Sequence, residues 1–547
     1  MFNSIADFNL KKIINRVDWK LLLFLMLFLN VKLAIKIPAI IIIYLLRFNF
    51  KFGFSFKNSR LPLFYLLIMI IPFIGLIINK GYSNPDYLIV FFTGIVFWLL
   101  CLLAIHQVKL SVENNDTEII HRTILVFFII NAVFSFYNFA AIVWETGAIN
   151  PYRYQGEHQK YFIGTGDFIK GLTLDTSTTN AALNAIGVVY FLIRKNNLML
   201  FVCMVVLLFT GSNFLNMALI FTLALLFIFK TTNGQKSLIV VCLMLLVVFM
   251  AKISPQNDKY IGETFKDAIH PPGPLIPKKN TANTCTNIPT LEELRQEFAK
   301  HYLDSIQKLP GAKRDTLIHS LAILPRTGQG RIVIDTVDIN LLPYQKSTDT
   351  TAEQKQLLKF IDTHKASLAL SSQVYKPGEP GKLVTFFQTL LFFRQHPLKI
   401  ITGDGLGNFS SKLAFRATGL GFAGGYPAKH TYINNDFLTN HLDVYLYFFS
   451  KTVGLRSLTN SPNSVYDQLL TEYGLLGLLV FAIYYAGFFA RHYKTLTYGL
   501  PLLLLLMMIF FTDYWFEQLS VIVFFELLLL LNIKETTNNA QLNYGSE

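Results

Sequence analysis

Two polar segments of the sequence, residues 151–180 and 394–416, border long apolar runs and carry clustered cations. Their candidate ligand-binding cations are Arg153, Lys170, Arg394 and Arg416. A guanidinium matches the geometry of two phosphate oxygens, and an ammonium supplies a compact positive charge, so cations at a membrane face suit a diphosphate. The alternative is that each cation belongs to a solvated loop without a ligand, which is common for single basic residues.

A third polar segment, residues 426–472, contains two histidines, His430 and His441. Imidazole is the usual group for taking a proton from a hydroxyl near neutral pH, so both are candidate general bases. Surface histidines without a catalytic role are an equal alternative. Neither histidine has the spacing of a metal-ligand pair, and no cysteine–histidine cluster occurs, so we expect no metal and no other cofactor.

A glycine-rich turn in the second segment, "GDGLGN" (403–408), resembles loops that cradle phosphate groups with main-chain N–H groups. Such loops join a strand to a helix, and no strand is predicted before this turn. We therefore favour a plain turn that follows a helix.

The composition is typical of a multi-pass membrane protein. Of 547 residues, 52% are hydrophobic and 15% are charged, and the mean hydropathy is +0.43. Soluble domains have about 25% charged residues. The net charge of +14 lies mainly in short loops between apolar runs, as the positive-inside rule requires, so we expect no nucleic-acid partner. The four cysteines show neither disulfide nor metal spacing.

Apolar runs of the length needed for membrane-spanning helices, about 20 residues or somewhat fewer, recur along the chain. They lie at 19–31, 33–47, 61–79, 87–106, 123–144, 177–193, 196–211, 213–230, 236–253, 465–489, 498–513 and 515–533. Lys32, Lys36 and Pro38 interrupt the first two runs, which form either two spans or a tight hairpin. We predict an all-α integral membrane protein with about twelve transmembrane helices.

Basic residues determine the predicted orientation. They precede the first run and follow the second, sixth and tenth, which places them on one side of the membrane. By the positive-inside rule this side is the cytoplasm, and it holds both termini. The predicted domains are residues 1–253 with helices one to nine, an extracytoplasmic loop at 254–464, and residues 465–547 with helices ten to twelve and a cytoplasmic tail. The polar end of that tail, 536–547, is expected to be disordered.

The large loop between spans nine and ten changes character along its length. Residues 254–382 are polar and form a predicted inserted subdomain of mixed α/β structure. Its predicted elements are helices at 289–309 and 351–370 and a strand at 330–344. Residues 383–464 form the second part of the loop, and the aromatic, apolar stretch at 381–400 is expected to be an amphipathic helix at the membrane interface.

The segment "NSVYDQLLTEYGLLGLLVF" (463–481) resembles the signature of the O-antigen ligase and O-antigen polymerase superfamily. In that signature a His and then an Asn, Ser or Gln precede nine residues and a Gly-x-x-Gly that opens a span; here Asn463 and Ser464 stand first and Gly474 and Gly477 close the pattern. Further segments similar to the family are "RQHPLKIITGDGLGNFSSK" (394–412), "KGLTLDTSTTNAALNAI" (170–186) and "FTGSNFLNMAL" (209–219).

The resemblance implies a catalytic loop histidine and arginines that clamp a donor diphosphate. In this chain the histidine position is Asn463, one family arginine is Lys170, and the cation of the Ser-Arg segment is Asn213. An Asn side chain neither gains nor loses a proton near neutral pH. Asn463 therefore stays a candidate site residue while His441 or His430 supplies the base. The alternatives are that no base is needed, or that the chain binds glycan without transferring it.

The helix that begins near Asn463 is expected to bring polar side chains to the depth of a lipid-linked diphosphate. Gly474 and Gly477 are expected to let a neighbouring helix pack closely. Tyr466 and Gln468 are candidate substrate-positioning residues, with anchoring at the membrane interface as the alternative.

The resemblance implies a metal-independent, inverting glycosyltransferase of the bacterial inner membrane. Its donor is an oligosaccharide linked to polyprenyl diphosphate, and its acceptor is a hydroxyl group of a glycan or lipid on the extracytoplasmic face. A polymerase is favoured over a ligase because the sequence has no second recognisable acceptor domain. The alternatives are a flippase or transporter of lipid-linked glycan, which the absence of internal repeats disfavours, and a non-catalytic membrane scaffold of the same fold.

Overall fold

Helices account for each of the apolar runs in the sequence. The structure, a computed structural model, describes residues 17–29, 32–153, 164–174, 176–229, 231–254, 326–327, 331–332, 381–418, 430–441 and 461–544. The helices before the large loop are α1 Trp19–Phe28, α2 Leu33–Leu46, α3 Phe64–Ile78, α4 Pro85–Asn114, α5 Thr117–Thr146, α6 Ser177–Ile193, α7 Asn197–Phe209, α8 Asn213–Phe229 and α9 Asn233–Val248. A π-helical turn, Phe249–Ile253, extends α9.

Shorter helices occupy the described part of the large loop, and a second group of apolar helices follows it. The loop helices are α10 Gly381–Gln395, α11 Lys399–Thr402, α12 Lys412–Ala417 and α13 Asn435–Asn440. The later helices are α14 Val465–Val480, which runs through the π-helical segment Phe481–Ala486 into α15 Gly487–Ala490, then α16 Gly499–Ile509, α17 Trp515–Gln518 and α18 Ser520–Tyr544. Single 3₁₀ turns are Gly81–Ser83, Pro151–Arg153, Gly164–Phe168 and Gly171–Thr173.

Four helices among the described residues are long and apolar enough to cross a membrane. They are Pro85–Asn114, Thr117–Thr146, Asn233–Ile253 and Val465–Ala490. Seven shorter apolar helices have 10–17 residues, below the roughly 20 that a straight span needs. The architecture is therefore helical and agrees with a multi-pass membrane protein, while the larger predicted number of spans stays a prediction.

The last helix, α18, lies at the centre of the bundle. Its apolar residues, from Val521 to Phe525 and from Leu527 to Leu531, are almost fully buried, as expected for a helix that is hydrophobic on every side. Near its C-terminal half, Lys534 Nζ donates hydrogen bonds to the main-chain oxygens of Val112 at 2.8 Å and Asn115 at 2.7 Å. These bonds satisfy carbonyls at the C-terminal end of α4.

The prediction of a disordered tail at 536–547 is wrong over most of that segment, because α18 continues to Tyr544. A helix already formed by a packed apolar segment adds further residues at little cost, since only its nucleation is unfavourable. Polar composition alone therefore did not determine where this helix ends.

Charged side chains form ion pairs at one end of the bundle. The pairs are Arg47–Asp18 at 3.5 Å, Arg60–Glu113 at 2.9 Å and Arg194–Glu535 at 3.5 Å. These three arginines belong to the loops that the positive-inside rule assigns to a single side of the membrane. Their common location at one end is consistent with that assignment.

The described part of the large loop covers the opposite end of the bundle. Asn79, which follows α3, donates a hydrogen bond to the main-chain oxygen of Asp404 at 3.1 Å. Tyr87 near the start of α4 lies with its ring 5.2 Å from that of Tyr432. The helices α10 to α13 therefore lie where α3 ends and α4 begins.

Two short strands are described within the predicted inserted subdomain. β1, Arg326–Thr327, pairs antiparallel with β2, Arg331–Ile332, with Arg326 opposite Ile332. The rest of the predicted strand at 330–344 and the predicted helices at 289–309 and 351–370 lie outside the described residues.

Candidate functional site

Helix α10 turns a polar face towards the bundle and an apolar face away from it. Its buried side includes Thr385, Gln388 and Thr389. Its outer side includes Leu383, Phe386, Phe387 and Leu390, whose exposed fractions are 55%, 42%, 48% and 45%. A water-exposed helix has the reverse arrangement. The exposed apolar side therefore agrees with the predicted location of this helix at a membrane interface.

Lys382, at the start of α10, links this helix by hydrogen bonds to the segment that precedes α14. Its Nζ donates hydrogen bonds to the main-chain oxygens of Ser461 at 2.9 Å and Asn463 at 3.0 Å. Burial lowers the pKa of Lys382 to about 7, while the carboxylates of Asp513 and Asp467 act in the opposite direction. The signature position Asn463, itself half-buried, thus has a buried amine beside its carbonyl group.

Helix α14 is broken at Gly474, whose φ of 68° and ψ of −167° are outside the helical region. The break leaves the carbonyl oxygens of Thr471 and Glu472 to accept hydrogen bonds from the main-chain N–H groups of Asp404 at 2.8 Å and Gly405 at 3.1 Å. A Cβ atom at Gly474 would lie 2.4 Å from the main-chain oxygen of Ile401. The prediction that Gly474 permits close packing is confirmed, and its partner is the short helix α11.

The glycine-rich turn cradles a carboxylate of the protein itself. Glu472 accepts hydrogen bonds from the main-chain N–H groups of Gly407 at 2.7 Å, Phe409 at 3.1 Å and Ser411 at 2.9 Å. Gly403, Gly405 and Gly407 all have positive φ values, which other residues adopt only with strain. The N–H groups that resemble a phosphate cradle are therefore already used, in agreement with the prediction of a plain turn.

The structure places His441 in the core. Its ring centroid lies 5.0 Å from that of Phe409, 5.6 Å from Phe415 and 5.7 Å from Phe437. His441 Nδ1 lies 3.2 Å from Gln388 Oε1, and within the described residues Nε2 makes no hydrogen bond. Burial lowers the pKa of His441 to about 3. This histidine is not the surface residue of the alternative interpretation, and its enclosure separates it from any external acceptor.

His430, the other predicted base, is half-buried and lies next to the start of α4. Its Nδ1 atom is 3.7 Å from Asp86 Oδ1. This distance exceeds that of a hydrogen bond, so the contact is a weak charge pairing. His430 does not contact α10 or α14 through any hydrogen bond or ion pair in the part of the chain that the structure describes.

The two predicted substrate-positioning residues fasten α14 to the helices behind it. Tyr466 donates a hydrogen bond from its hydroxyl group to the main-chain oxygen of Met507 at 2.8 Å. Gln468 Nε2 donates to Glu517 Oε1 at 2.6 Å. Both side chains therefore have partners inside the protein, an arrangement that differs from direct contact with substrate and from anchoring at the membrane interface.

Of the four predicted diphosphate-binding cations, Arg394 lines an apolar cavity of about 430 Å³ between α10, α11 and α14. The remaining lining residues are Leu390, Phe393, Pro397, Ile400, Leu470 and Leu475. Leu390 also belongs to the exposed apolar face of α10, so the cavity continues that face. Arg394 and the apolar lining residues therefore place a positive charge next to a hydrophobic surface.

The other three predicted cations do not line this cavity. Lys170 lies in a turn beside α5, where Asn138 Oδ1 accepts hydrogen bonds from the main-chain N–H groups of Lys170 at 3.1 Å and Gly171 at 3.0 Å. Arg153 is exposed at the end of the 3₁₀ turn Pro151–Arg153. Arg416 is half-buried on α12, where its charge acts on Glu517. The structure therefore does not gather these cations around the cavity of Arg394.

A charged cluster whose contacts the sequence did not predict lies beside the cavity. Lys399 Nζ is 2.6 Å from Asp404 Oδ1 and 2.6 Å from Asp436 Oδ2, and His396 Nε2 is 3.6 Å from Asp436 Oδ1. Burial raises the pKa of Asp404 to about 8, against the opposing effect of Lys399. Burial lowers the pKa of Lys399, but the two carboxylates outweigh it and the net shift is upward. In the sequence, the pair His396–Pro397 was the feature that could have drawn attention to this cluster.

These observations describe a helical protein whose apolar helices are compatible with a multi-pass membrane protein, with a polar candidate site at one end of its bundle. No protein-family model matches the sequence, and no curated protein matches it either.

Proposed function

We propose that this protein is a membrane glycosyltransferase that moves a glycan from a polyprenyl-diphosphate carrier to an acceptor hydroxyl group. The observation that carries the proposal is the position of Arg394 at an apolar cavity continuous with the outward face of α10. The apolar lining suits the polyprenyl chain, and a guanidinium at its edge suits the diphosphate. A soluble sugar nucleotide would have no use for the apolar surface.

The proposed topology has about twelve membrane spans in the inner membrane of a bacterium. Both termini lie in the cytoplasm, and the candidate site lies at the extracytoplasmic face. Its support is the separation of charges: Arg47, Arg60 and Arg194 lie in ion pairs at the end of the bundle opposite α10 to α13. The proposed donor would therefore present its glycan on the extracytoplasmic face.

The proposed reaction is a single displacement with inversion and without a metal. The acceptor oxygen attacks the anomeric carbon, and the bond from that carbon to the diphosphate oxygen breaks. Arg394 would stabilise the negative charge that develops on the departing diphosphate. Positioning of the two substrates supplies much of the remaining rate. A polymerase is favoured over a ligase, because no second acceptor domain is recognisable.

A glycan-binding scaffold without transferase activity is the second candidate. Two observations favour it, because both remove a predicted general base. Asn463, at the histidine position of the signature, cannot take up a proton near neutral pH, and His441 is enclosed by three phenylalanine rings. A scaffold would bind the lipid-linked glycan at Arg394 and leave it unchanged.

The test is the profile of surface polysaccharide in cells that lack the chain and are complemented with variants. Arg394→Ala should reduce polymer at least about tenfold, because a charged hydrogen bond contributes about 1.5–3 kcal/mol, and Arg394→Lys should lose less. Arg122→Ala is the matched control, since Arg122 pairs with Glu118 on the surface of α5. Protein amounts are compared by immunoblot.

The outcomes separate the candidates. A single repeat unit on its acceptor in the deletion strain indicates a polymerase, whereas carrier-bound polymer with an unmodified acceptor indicates a ligase. Carrier that accumulates on the cytoplasmic leaflet indicates a flippase. Purified protein that binds extracted lipid-linked glycan without transferring it indicates the scaffold. Normal polysaccharide with Arg394→Ala at normal protein level would overturn the assigned role of Arg394.

A further inference from the structure

His396 belongs to the charged cluster and does not itself line the cavity. Its chain neighbour Pro397 lines the cavity, as does Arg394 two residues earlier. The His396 side chain is 43% exposed, and its ring centroid is 5.2 Å from that of Phe392. The imidazole is therefore supported by a buried ring on one side and accessible on the other.

A carboxylate faces one ring nitrogen of His396. Nε2 lies 3.6 Å from Asp436 Oδ1, which is longer than a close hydrogen bond. The ring's other nitrogen, Nδ1, makes no hydrogen bond in the part of the chain that the structure describes. An anion beside one nitrogen favours the tautomer with the proton on that side and stabilises the imidazolium that forms when the other nitrogen gains a proton.

The carboxylate itself is held in position. Asp436 Oδ2 lies 2.6 Å from Lys399 Nζ, and the main-chain N–H of Asp436 donates to Asn434 Oδ1 at 2.7 Å at the start of α13. Lys399 also binds Asp404 Oδ1 at 2.6 Å, so the ammonium bridges two carboxylates. This arrangement is built from two segments of chain, 396–404 and 434–436, and His396 is its most exposed side chain.

The other two imidazoles at this end of the described chain are placed differently. His441 is enclosed by phenylalanine rings, and His430 lies beside Asp86 at the start of α4. None of the three imidazoles lines the cavity of Arg394, but His396 lies in the chain between two residues that do, Arg394 and Pro397. His396 combines an accessible ring, a fixed carboxylate and proximity to the cavity.

We infer that His396 is the general base of the proposed transfer reaction, oriented by Asp436, and this inference rests on the proposed function. The acceptor hydroxyl oxygen forms a bond to the anomeric carbon as its proton passes to Nδ1 of His396. The bond between that carbon and the diphosphate oxygen breaks, and its electron pair leaves with the diphosphate beside Arg394. Asp436 stabilises the imidazolium, which returns its proton to water after the product leaves.

The experiment uses the full-length purified protein in lipid nanodiscs and lipid-linked glycan extracted from cells that lack the chain. His396→Ala should lower kcat by about 100-fold, the usual size of general-base catalysis, with little change in KM. Imidazole added to the buffer should restore part of the activity of His396→Ala. Asp436→Asn should lose less and should not respond to imidazole. His492→Ala, at the opposite end of the bundle, is the matched control and should retain wild-type activity.

The results distinguish the base from the function on which it rests. No transfer by the wild-type protein would overturn the proposed function and the base with it. Transfer by the wild type that persists in His396→Ala would overturn the base alone. A loss in His396→Ala and in His396→Gln that imidazole does not reverse would assign His396 a structural role and also overturn the inference.

Discussion

The carboxylate of Glu472 accepts a hydrogen bond from the main-chain N–H of Gly407 at 2.7 Å. This bond joins the middle of α14 to the turn that precedes α12, across 65 positions of the sequence. The N–H groups of Phe409 and Ser411, which follow the turn directly, donate to the same carboxylate. Each of these hydrogen bonds offsets part of the cost of burying the carboxylate. The turn and the helix therefore form one unit that positions α10, α11 and the cavity between them.

Loss of the Glu472 carboxylate should destabilise this unit. Glu472→Ala leaves three main-chain N–H groups without their acceptor, and each buried unpaired group costs about 1–3 kcal/mol. We expect a clearly lower melting temperature in detergent and less protein in the membrane, with Glu472→Gln intermediate because it keeps one acceptor oxygen. Glu118→Gln, on the exposed face of α5, is the control. A melting temperature for Glu472→Ala equal to that of the control would contradict the structural role of this carboxylate.

The break in α14 should tolerate no side chain at Gly474. Its φ of 68° with a ψ of −167° is a conformation essentially restricted to glycine, and an added Cβ would lie 2.4 Å from the Ile401 oxygen. Gly474→Ala should therefore reduce the amount of folded protein strongly, measured by size-exclusion chromatography of a fluorescent fusion. Gly234→Ala, where nothing lies within 4 Å of the added atom, should fold normally. Equal elution profiles for the two variants would show that the break is not required.

The helices were largely predictable, because an apolar run needs only its own composition to indicate a helix. The run at 177–193 coincides with α6, Ser177–Ile193. Helix ends were less predictable where polar residues continue a helix, as in α4, which extends from the predicted 87–106 to Pro85–Asn114. There the packing of neighbouring helices, rather than hydropathy, determines the end.

The contacts of the candidate site were not predictable from local patterns. Lys399 and Asp436 are 37 positions apart, and Lys382 and Asn463 are 81 apart. Composition identified Arg394 as a candidate, but only the packing of α10 against α14 placed it at a cavity. The burial of His441 depends on Phe409 and Phe415, which lie more than 25 positions earlier in the chain, as well as on its near neighbour Phe437. From the sequence alone, a buried histidine in a polar segment cannot be distinguished from a histidine on the surface.

The buried imidazole of His441 should make stability depend on pH. Burial lowers its pKa from 6.5 to about 3, so the folded protein stays neutral there while the unfolded chain binds a proton below about 6.5. Between these pH values the unfolded state holds more protons. Stability contributed by His441 is therefore present above the higher value and is lost as the pH falls, by up to roughly 1.4 kcal/mol per pH unit.

His441→Phe removes this titration and keeps a ring among Phe409, Phe415 and Phe437. The melting temperature of the wild type should fall more than that of the variant when the pH is lowered from about 7 to about 5. His430→Phe, which removes a half-exposed imidazole, is the control and should follow the wild type. Parallel curves for the wild type and His441→Phe would contradict burial of a neutral His441.

The turn at Lys170 offers a test of whether this cation serves the proposed transfer without lining the cavity of Arg394. Asn138 Oδ1 holds the main-chain N–H groups of Lys170 and Gly171 at 3.1 and 3.0 Å. If the Lys170 ammonium binds the donor, Asn138→Ala should reduce polymer formation by misplacing that side chain. The double variant Asn138→Ala/Lys170→Ala should then form no less polymer than Lys170→Ala, because the effects of residues that act as one unit are not additive.

The control is Thr93→Ala, which removes a hydroxyl group that donates to the main-chain oxygen of Ile89 within α4. Wild-type polymer in cells with Lys170→Ala would show that Lys170 is not a donor ligand, and additive losses would show that Asn138 acts on stability alone.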